Sequence, residues 1–349
     1  MPKPLTLSPP LSPGKWWGMR RLANADGHFA MTAVDQRPPI KGPIAAKLGR
    51  DEAPWEAVAD FKRLLVETLG EASSAMLLDP HYAIPRAVEA LAPTKGLVVT
   101  LEDSLFTDTD GGRLSSSIDD WSVAKIKRMG GDAVKVLAWY RPDASPAVRQ
   151  AQEDWTKRIG EACAEHDIPF LFELLVYPLP HDEGGSNTDY IEMASKKSDH
   201  VLRSVETFAH PDYGVDIFKL ESPVNAPDVA TTDGVQATFD ELGRLAGRPW
   251  VMLSAGAGKR DFAGVVDHAC RAGASGYLAG RAIWLDAFAH WPDERRMRAD
   301  LLDGAVDYMG KLNAIVAEHA TPWHRHPAYG EGGARFPYRD AGFRHEYSS

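Results

Sequence analysis

The sequence predicts an α/β fold, a (β/α)8 barrel formed by one domain. Short apolar, β-rich runs alternate eight times with amphipathic stretches of helical period. The segments joining them are mostly short, and polar residues recur inside or at the end of almost every apolar run. An open doubly wound sheet would gather those polar residues near one switch point, whereas a closed barrel presents them all at one mouth.

The elements follow in order. Residues 1–14 are rich in Pro and Ser and read as a loose arm. Trp16–Asn24 has room for a short helix covering one end of the domain. The first strand is Phe29–Asp35, followed by a helix over Pro54–Gly70 with proline at its start and glycine at its end. Ser74–Asp79 is the second strand and Pro85–Leu91 its helix. Leu97–Glu102 is the third, followed by a Gly-, Ser- and Asp-rich loop, Ser104–Ser117, and a helix at Ile118–Met129. Ala133–Tyr140, Phe170–Tyr177 and Val215–Glu221 are strands four to six, with helices over Pro146–His166, Thr188–Ala209 and Val235–Ala246. Trp250–Ala255 and Gly276–Gly280 complete the eight, around a helix at Arg260–Gly273. Helices resume from Trp284 to about Ala320. The barrel is expected to occupy residues 15–325, with 326–349 as a C-terminal extension packed over the barrel or at a subunit contact.

Composition narrows the function. The 349 residues are 44% hydrophobic and 25% charged, as in ordinary globular proteins. A formal net charge of −10 argues against a nucleic-acid or anionic-membrane binder, both of which need a basic surface. A small anionic substrate needs only a local cluster of cations. The two cysteines, Cys163 and Cys270, lie far apart in helical patterns and make neither a disulfide framework nor a CxxC site. No apolar run reaches membrane-spanning length and the N-terminus lacks a signal-peptide core, so a cytoplasmic enzyme is expected. Its expected partners are a small anionic substrate and further copies of the chain.

Three successive strands each carry one charge amid apolar neighbours: Lys135 in VKV, Glu173 in FEL and Lys219 in FKL. Any one alone could equally be half of a buried ion pair. As a set they point to a shared polar site. A free lysine titrates near 10.4, and bringing it to the roughly 7–8 of a catalytic amine costs on the order of 4 kcal/mol. Burial and a neighbouring cation both act in that direction. Lys135 could be that cation, Lys219 the nucleophile and Glu173 the proton shuttle. An imine on Lys219 would then draw electrons from a breaking carbon–carbon bond. Ser254-Ala255-Gly256-Ala257-Gly258 after strand seven and Gly280-Arg281 after strand eight stand where barrels hold phosphate on backbone N–H groups. The run Gly256–Lys259 is not a Walker A loop, lacking its spacing and its Ser/Thr. His324 and His326 have no carboxylate or cysteine in metal-binding pattern. Asp79-Pro80-His81 reads as a strand-end turn or a site-lining loop rather than a ligand set, and Glu221 as lining the pocket or steadying a loop.

As a set, AVDQR (33–37), DDWSVAKIKRMGGDAVKVLAWY (119–140), FLFELLVY (170–177), VDIFKLESPVN (215–225), WVMLSAG (250–256) and SGYLAGRAIW (275–284) resemble the class I tagatose-1,6-bisphosphate aldolases and the related sulfofructosephosphate aldolases. The likeness extends over about residues 15–325. It implies a metal-independent barrel aldolase, free of cofactor, with Lys219 forming the imine and Glu173 as acid and base. Lys135 would assist and Asp35 would be a site aspartate. The phosphate-binding positions fall on Ser254, Gly256, Gly280 and Arg281, and Gln36 and Arg37 fall near the second anionic group. The implied reaction is cleavage of a ketose such as tagatose 1,6-bisphosphate to dihydroxyacetone phosphate and glyceraldehyde 3-phosphate. A sulfofructose phosphate, releasing sulfolactaldehyde, is the alternative substrate. Pro38-Pro39 departs from the Gly- or Ser-containing turn expected there, and the tail from about Pro327 is longer than the family needs. Both leave the distal end open to phosphate, sulfonate or a smaller group. Two readings from other classes stand beside this one. One is a metal-dependent lyase or isomerase using Asp35, Asp79, Glu102 and Asp103, although no compact ligand motif ties these together. The other is a non-catalytic sugar-phosphate sensor on the same scaffold.

Overall fold

A computed structural model describes residues 11–179, 182 and 197–347. Eight parallel strands form a closed ring: β1 (Phe29–Ala33), β2 (Ala75–Leu78), β3 (Gly96–Thr100), β4 (Ala133–Trp139), β5 (Phe170–Leu175), β6 (Ile217–Leu220), β7 (Trp250–Met252) and β8 (Gly276–Ala279). Closure comes from β1, which pairs with both β2 and β8. This is the predicted barrel.

Alternation along each strand divides the core in two. The interior is apolar over its lower part, where Phe29, Met31, Leu77, Val98, Leu171 and Ile217 meet. Met19 and Leu22 of the first helix, Pro13–Leu22, and Trp323 of the C-terminal tail close the floor. Outward-facing residues such as Val134, Phe172 and Phe218 join the larger core beneath the surrounding helices. The charged strand residues therefore lie above an apolar plug, toward the strands' C-terminal ends.

Several elements differ from expectation. A helix, Pro38–Leu48, occupies the segment after β1, where three prolines and a glycine argue for a loop. Pro38 and Pro39 take its first positions, where a missing N–H costs nothing, and Gly49 ends it at φ 62°. The loop over Ser104–Ser117 contains a small antiparallel hairpin, Thr107–Thr109 with Gly112–Leu114. The helix expected over Ile118–Met129 is only Val123–Arg128, because Asp120 adopts φ 56° and Ser122 caps the first turn by accepting from Lys125 N. In the helix expected over Thr188–Ala209, residues 188–196 lie outside the described residues, and the part seen is Ser198–Phe208.

The tail packs against the floor of the barrel, on the face away from the mouth. Trp16 meets Trp323 and Phe336 edge-on at 6.2 and 5.3 Å. Ser12 and Tyr347 both donate to the Asp167 carboxylate, just before β5. Among the described residues, no helix is long and apolar enough to cross a membrane.

Candidate active site

Register fixes the levels at which the charges sit. Glu173 on β5 pairs with Lys219 on β6, whereas Lys135 on β4 pairs with Leu171, two residues deeper. Long side chains bridge that step. Lys219 Nζ lies 2.9 Å from Glu173 Oε2, and Lys135 Nζ lies 2.8 Å from the same oxygen. Lys135 also reaches Asp35 Oδ2 at 2.9 Å and Glu102 Oε1 at 2.6 Å. All five side chains are buried and line one cavity at the C-terminal mouth.

This geometry alters the expected part of Lys135. It is not a lone cation beside Lys219 but the hub of three carboxylates, with Glu173 shared between the two lysines. An unpaired ammonium at that depth would carry a large desolvation cost, and the carboxylates remove it. Burial works to lower the Lys135 pKa, but Asp35, Glu102 and Glu173 hold the ammonium well above its usual range. Burial likewise favours a neutral Asp35, yet Lys135, Lys219 and Arg37 keep its carboxyl well below the ordinary carboxylate range. Asp35 also accepts from Thr100 Oγ1 at 3.4 Å.

Glu102, one of the strand-end carboxylates of the metal reading, is a full member of this network. Burial pushes it up to about 7, against the opposing pull of Lys135 and Arg37. Its backbone is fixed by a bridge to Ser117 and by two N–H groups of Arg37, each 3.1 Å from its carbonyl oxygen. Arg37 is thus committed to the end of β3 while still lining the cavity. Of the other carboxylates of the metal reading, Asp35 and Asp103 line the same cavity, and Asp79 stands apart from it. Asp79 is buried against Lys62 of the helix Trp55–Leu69 and accepts from the N–H groups of His81 and Tyr82. That makes Asp79-Pro80-His81 the strand-end turn its sequence suggests. Among the described residues, no three His, Cys, Asp or Glu side chains converge as a metal-binding group. Glu221 Oε1 accepts from Val176 N at 2.6 Å and so steadies the segment after β5.

The opposite wall is built from glycine turns. Ser254 and Ala255 line the cavity, and Ala255 and Gly256 take φ 44° and 83° in succession, turning the chain toward the helix Lys259–Arg271. Gly256 shapes this turn from behind and does not itself line the space. Gly280 caps the helix Arg281–Phe288, and a Cβ there would stand 2.5 Å from Gln36 Nε2 and 2.8 Å from Ala33 O. Gln36, Gly280 and Arg281 all line the cavity. The first N–H groups of a helix lack partners within it, so this wall offers donors to an anion.

A family model described as the DeoC/LacD family aldolase matches residues 29–286. The chain belongs to this aldolase family. A tagatose 1,6-diphosphate aldolase of Listeria monocytogenes serotype 4a (strain HCC23) is 33% identical over 90% of this chain and 94% of its own. Tagatose 1,6-diphosphate aldolase 2 of Enterococcus faecalis (strain ATCC 700802 / V583) is 32% identical over 92% and 99%. A solved Schiff-base-forming fructose-1,6-bisphosphate aldolase shares the fold with a TM-score of 0.57 at 17% identity, covering 86% of this aldolase and 98% of that chain.

Proposed function

We propose that this aldolase cleaves a phosphorylated ketose, with tagatose 1,6-bisphosphate the first candidate, through an imine on Lys219. The observation that carries this reading is the buried Lys219–Glu173 pair, 2.9 Å apart, facing a wall of anion-accepting glycine turns. Relatives named for tagatose 1,6-diphosphate support the choice of substrate.

In the proposed reaction, Ser254, Gly280 and Arg281 hold the phosphate on C1 and bring the C2 carbonyl to Lys219. Glu173 takes a proton from the ammonium, and the free amine adds to C2. The added nitrogen passes one proton to the oxygen as the carbinolamine forms, and Glu173 returns its own to the resulting hydroxyl, which departs as water and leaves the iminium. The C3–C4 electron pair then moves into the iminium as an enamine forms. The C4 hydroxyl gives its proton to Glu173 as the aldehyde is released. Glu173 protonates C3, and water hydrolyses the imine to free dihydroxyacetone phosphate and Lys219. Lys135 keeps Glu173 and Asp35 oriented throughout, as its three ion pairs suit it to do. The proposed chemistry calls on no metal.

Borohydride added with substrate should leave a reduced adduct on Lys219, and cleavage should persist in EDTA. No adduct, or full activity in Lys219→Ala, would overturn the proposal. Tagatose bisphosphate, fructose bisphosphate and sulfofructose phosphate compared side by side will assign the distal group.

A further inference from the structure

Glu102 occupies a place in the cavity that the proposed reaction leaves unused. It lies on β3's end of the barrel, whereas the phosphate wall rises from β7 and β8 and Lys219 from β6. Lys135 holds Oε1 at 2.6 Å, and the backbone is fixed by the bridge to Ser117. The second oxygen, Oε2, is buried and has no hydrogen-bond partner among the described residues. The side chain is 4% exposed, so an unsatisfied oxygen there is costly unless something polar meets it. A ketose extending from the phosphate wall past Lys219 would place its hydroxyl-bearing aldehyde half on this side.

We propose that Glu102 is a substrate-binding residue for the aldehyde half, its Oε2 hydrogen-bonding a hydroxyl on the carbons beyond the cleaved bond. Lys135 and Arg37 act through it as positioning residues. A carboxyl with its pKa near 7 can meet a hydroxyl either as acceptor or as donor. The inference rests on the aldolase reading above and adds a residue to it.

The test separates the two halves of the substrate. Cleavage of tagatose 1,6-bisphosphate is measured beside exchange of the C3 proton of dihydroxyacetone phosphate, which forms the imine but has no aldehyde half. Glu102→Gln and Glu102→Ala should lower kcat/KM for cleavage by about 10- to 100-fold, the scale of one or two hydrogen bonds. Proton exchange should stay within about threefold of wild type. Equal losses in both assays would make Glu102 a structural support for Lys135 and overturn the inference. So would unchanged cleavage. The near-isosteric Gln variant guards against a folding failure of the Ala variant. If wild type shows neither imine nor exchange, the aldolase reading itself falls, and the Glu102 assignment with it.

Discussion

Lys219 and Glu173 stand directly opposite one another on adjacent parallel strands, with Nζ 2.9 Å from Oε2. Both belong to regular strand rather than loop, so their separation is set by the hydrogen-bonded ladder between β5 and β6. Fixed geometry of this kind suits repeated proton exchange between the same two atoms.

Glu173→Gln removes the proposed proton exchange while keeping the shape of the side chain. Turnover should fall about 10²–10⁴-fold, the usual contribution of a positioned acid and base. Single-turnover kinetics should show imine formation slowed along with cleavage. A loss confined to KM would contradict the assigned role.

The Glu102 carboxyl gives stability a definite pH slope. Its pKa is raised in the fold, from an ordinary 4.5 to about 7. The folded protein therefore binds its proton more tightly than the unfolded chain does. That contribution is complete below about 4.5 and is lost as pH rises through about 7. Between those limits wild type should lose on the order of 3 kcal/mol relative to Glu102→Gln. Urea denaturation of both proteins from pH 4.5 to 8 reads this directly, and parallel stability curves would refute it.

Gly280→Ala should weaken phosphate binding at the proposed anion wall. The new methyl would press on Gln36 and on the Ala33 carbonyl. Displacing the start of the helix Arg281–Phe288 by a few tenths of an ångström would lengthen its contacts to an anion. KM for the ketose should rise by about tenfold, as for loss of a charge-assisted hydrogen bond, with kcat changed less. Titration of dihydroxyacetone phosphate binding checks it, and unaltered affinity would show that the methyl is absorbed elsewhere.

Lys62 and Asp79 form a fully buried pair outside the cavity. Lys62→Ala leaves Asp79 charged and unpartnered, and should cost about 3–5 kcal/mol in thermal or urea unfolding. Lys62→Met combined with Asp79→Asn should recover much of that loss. A single variant as stable as wild type would mean that the pair contributes nothing.

The eight strands were legible because apolar runs bounded by turn residues admit few other placements, and a lone charge in such a run has few structural uses. Lys135, Glu173 and Lys219 stood out for that reason. The helix Pro38–Leu48 was hidden by its own composition: Pro38, Pro39, Gly42 and Pro43 argue against helix, and only the position of the first two at the N-terminus makes them harmless. The hairpin Thr107–Leu114 has strands too short and polar to register. Tertiary contact supports it, with the Arg113 guanidinium 4.1 Å from the Phe106 ring centre and 4.9 Å from those of Trp139 and Tyr177. The partnership of Glu102 with Lys135 depends on how far each strand is staggered round the ring, which no local pattern encodes. Lys135 thus looked like a bare cation where three carboxylates surround it.

The joining of Ser12 and Tyr347 through Asp167 has a practical side. Both ends of the described chain emerge beneath the floor of the barrel, on the face opposite the mouth. A tether or fusion partner joined at Ser12 or Tyr347 would start below the molecule, on the side away from the substrate's approach. Immobilised there, the aldolase would present its mouth to the solution.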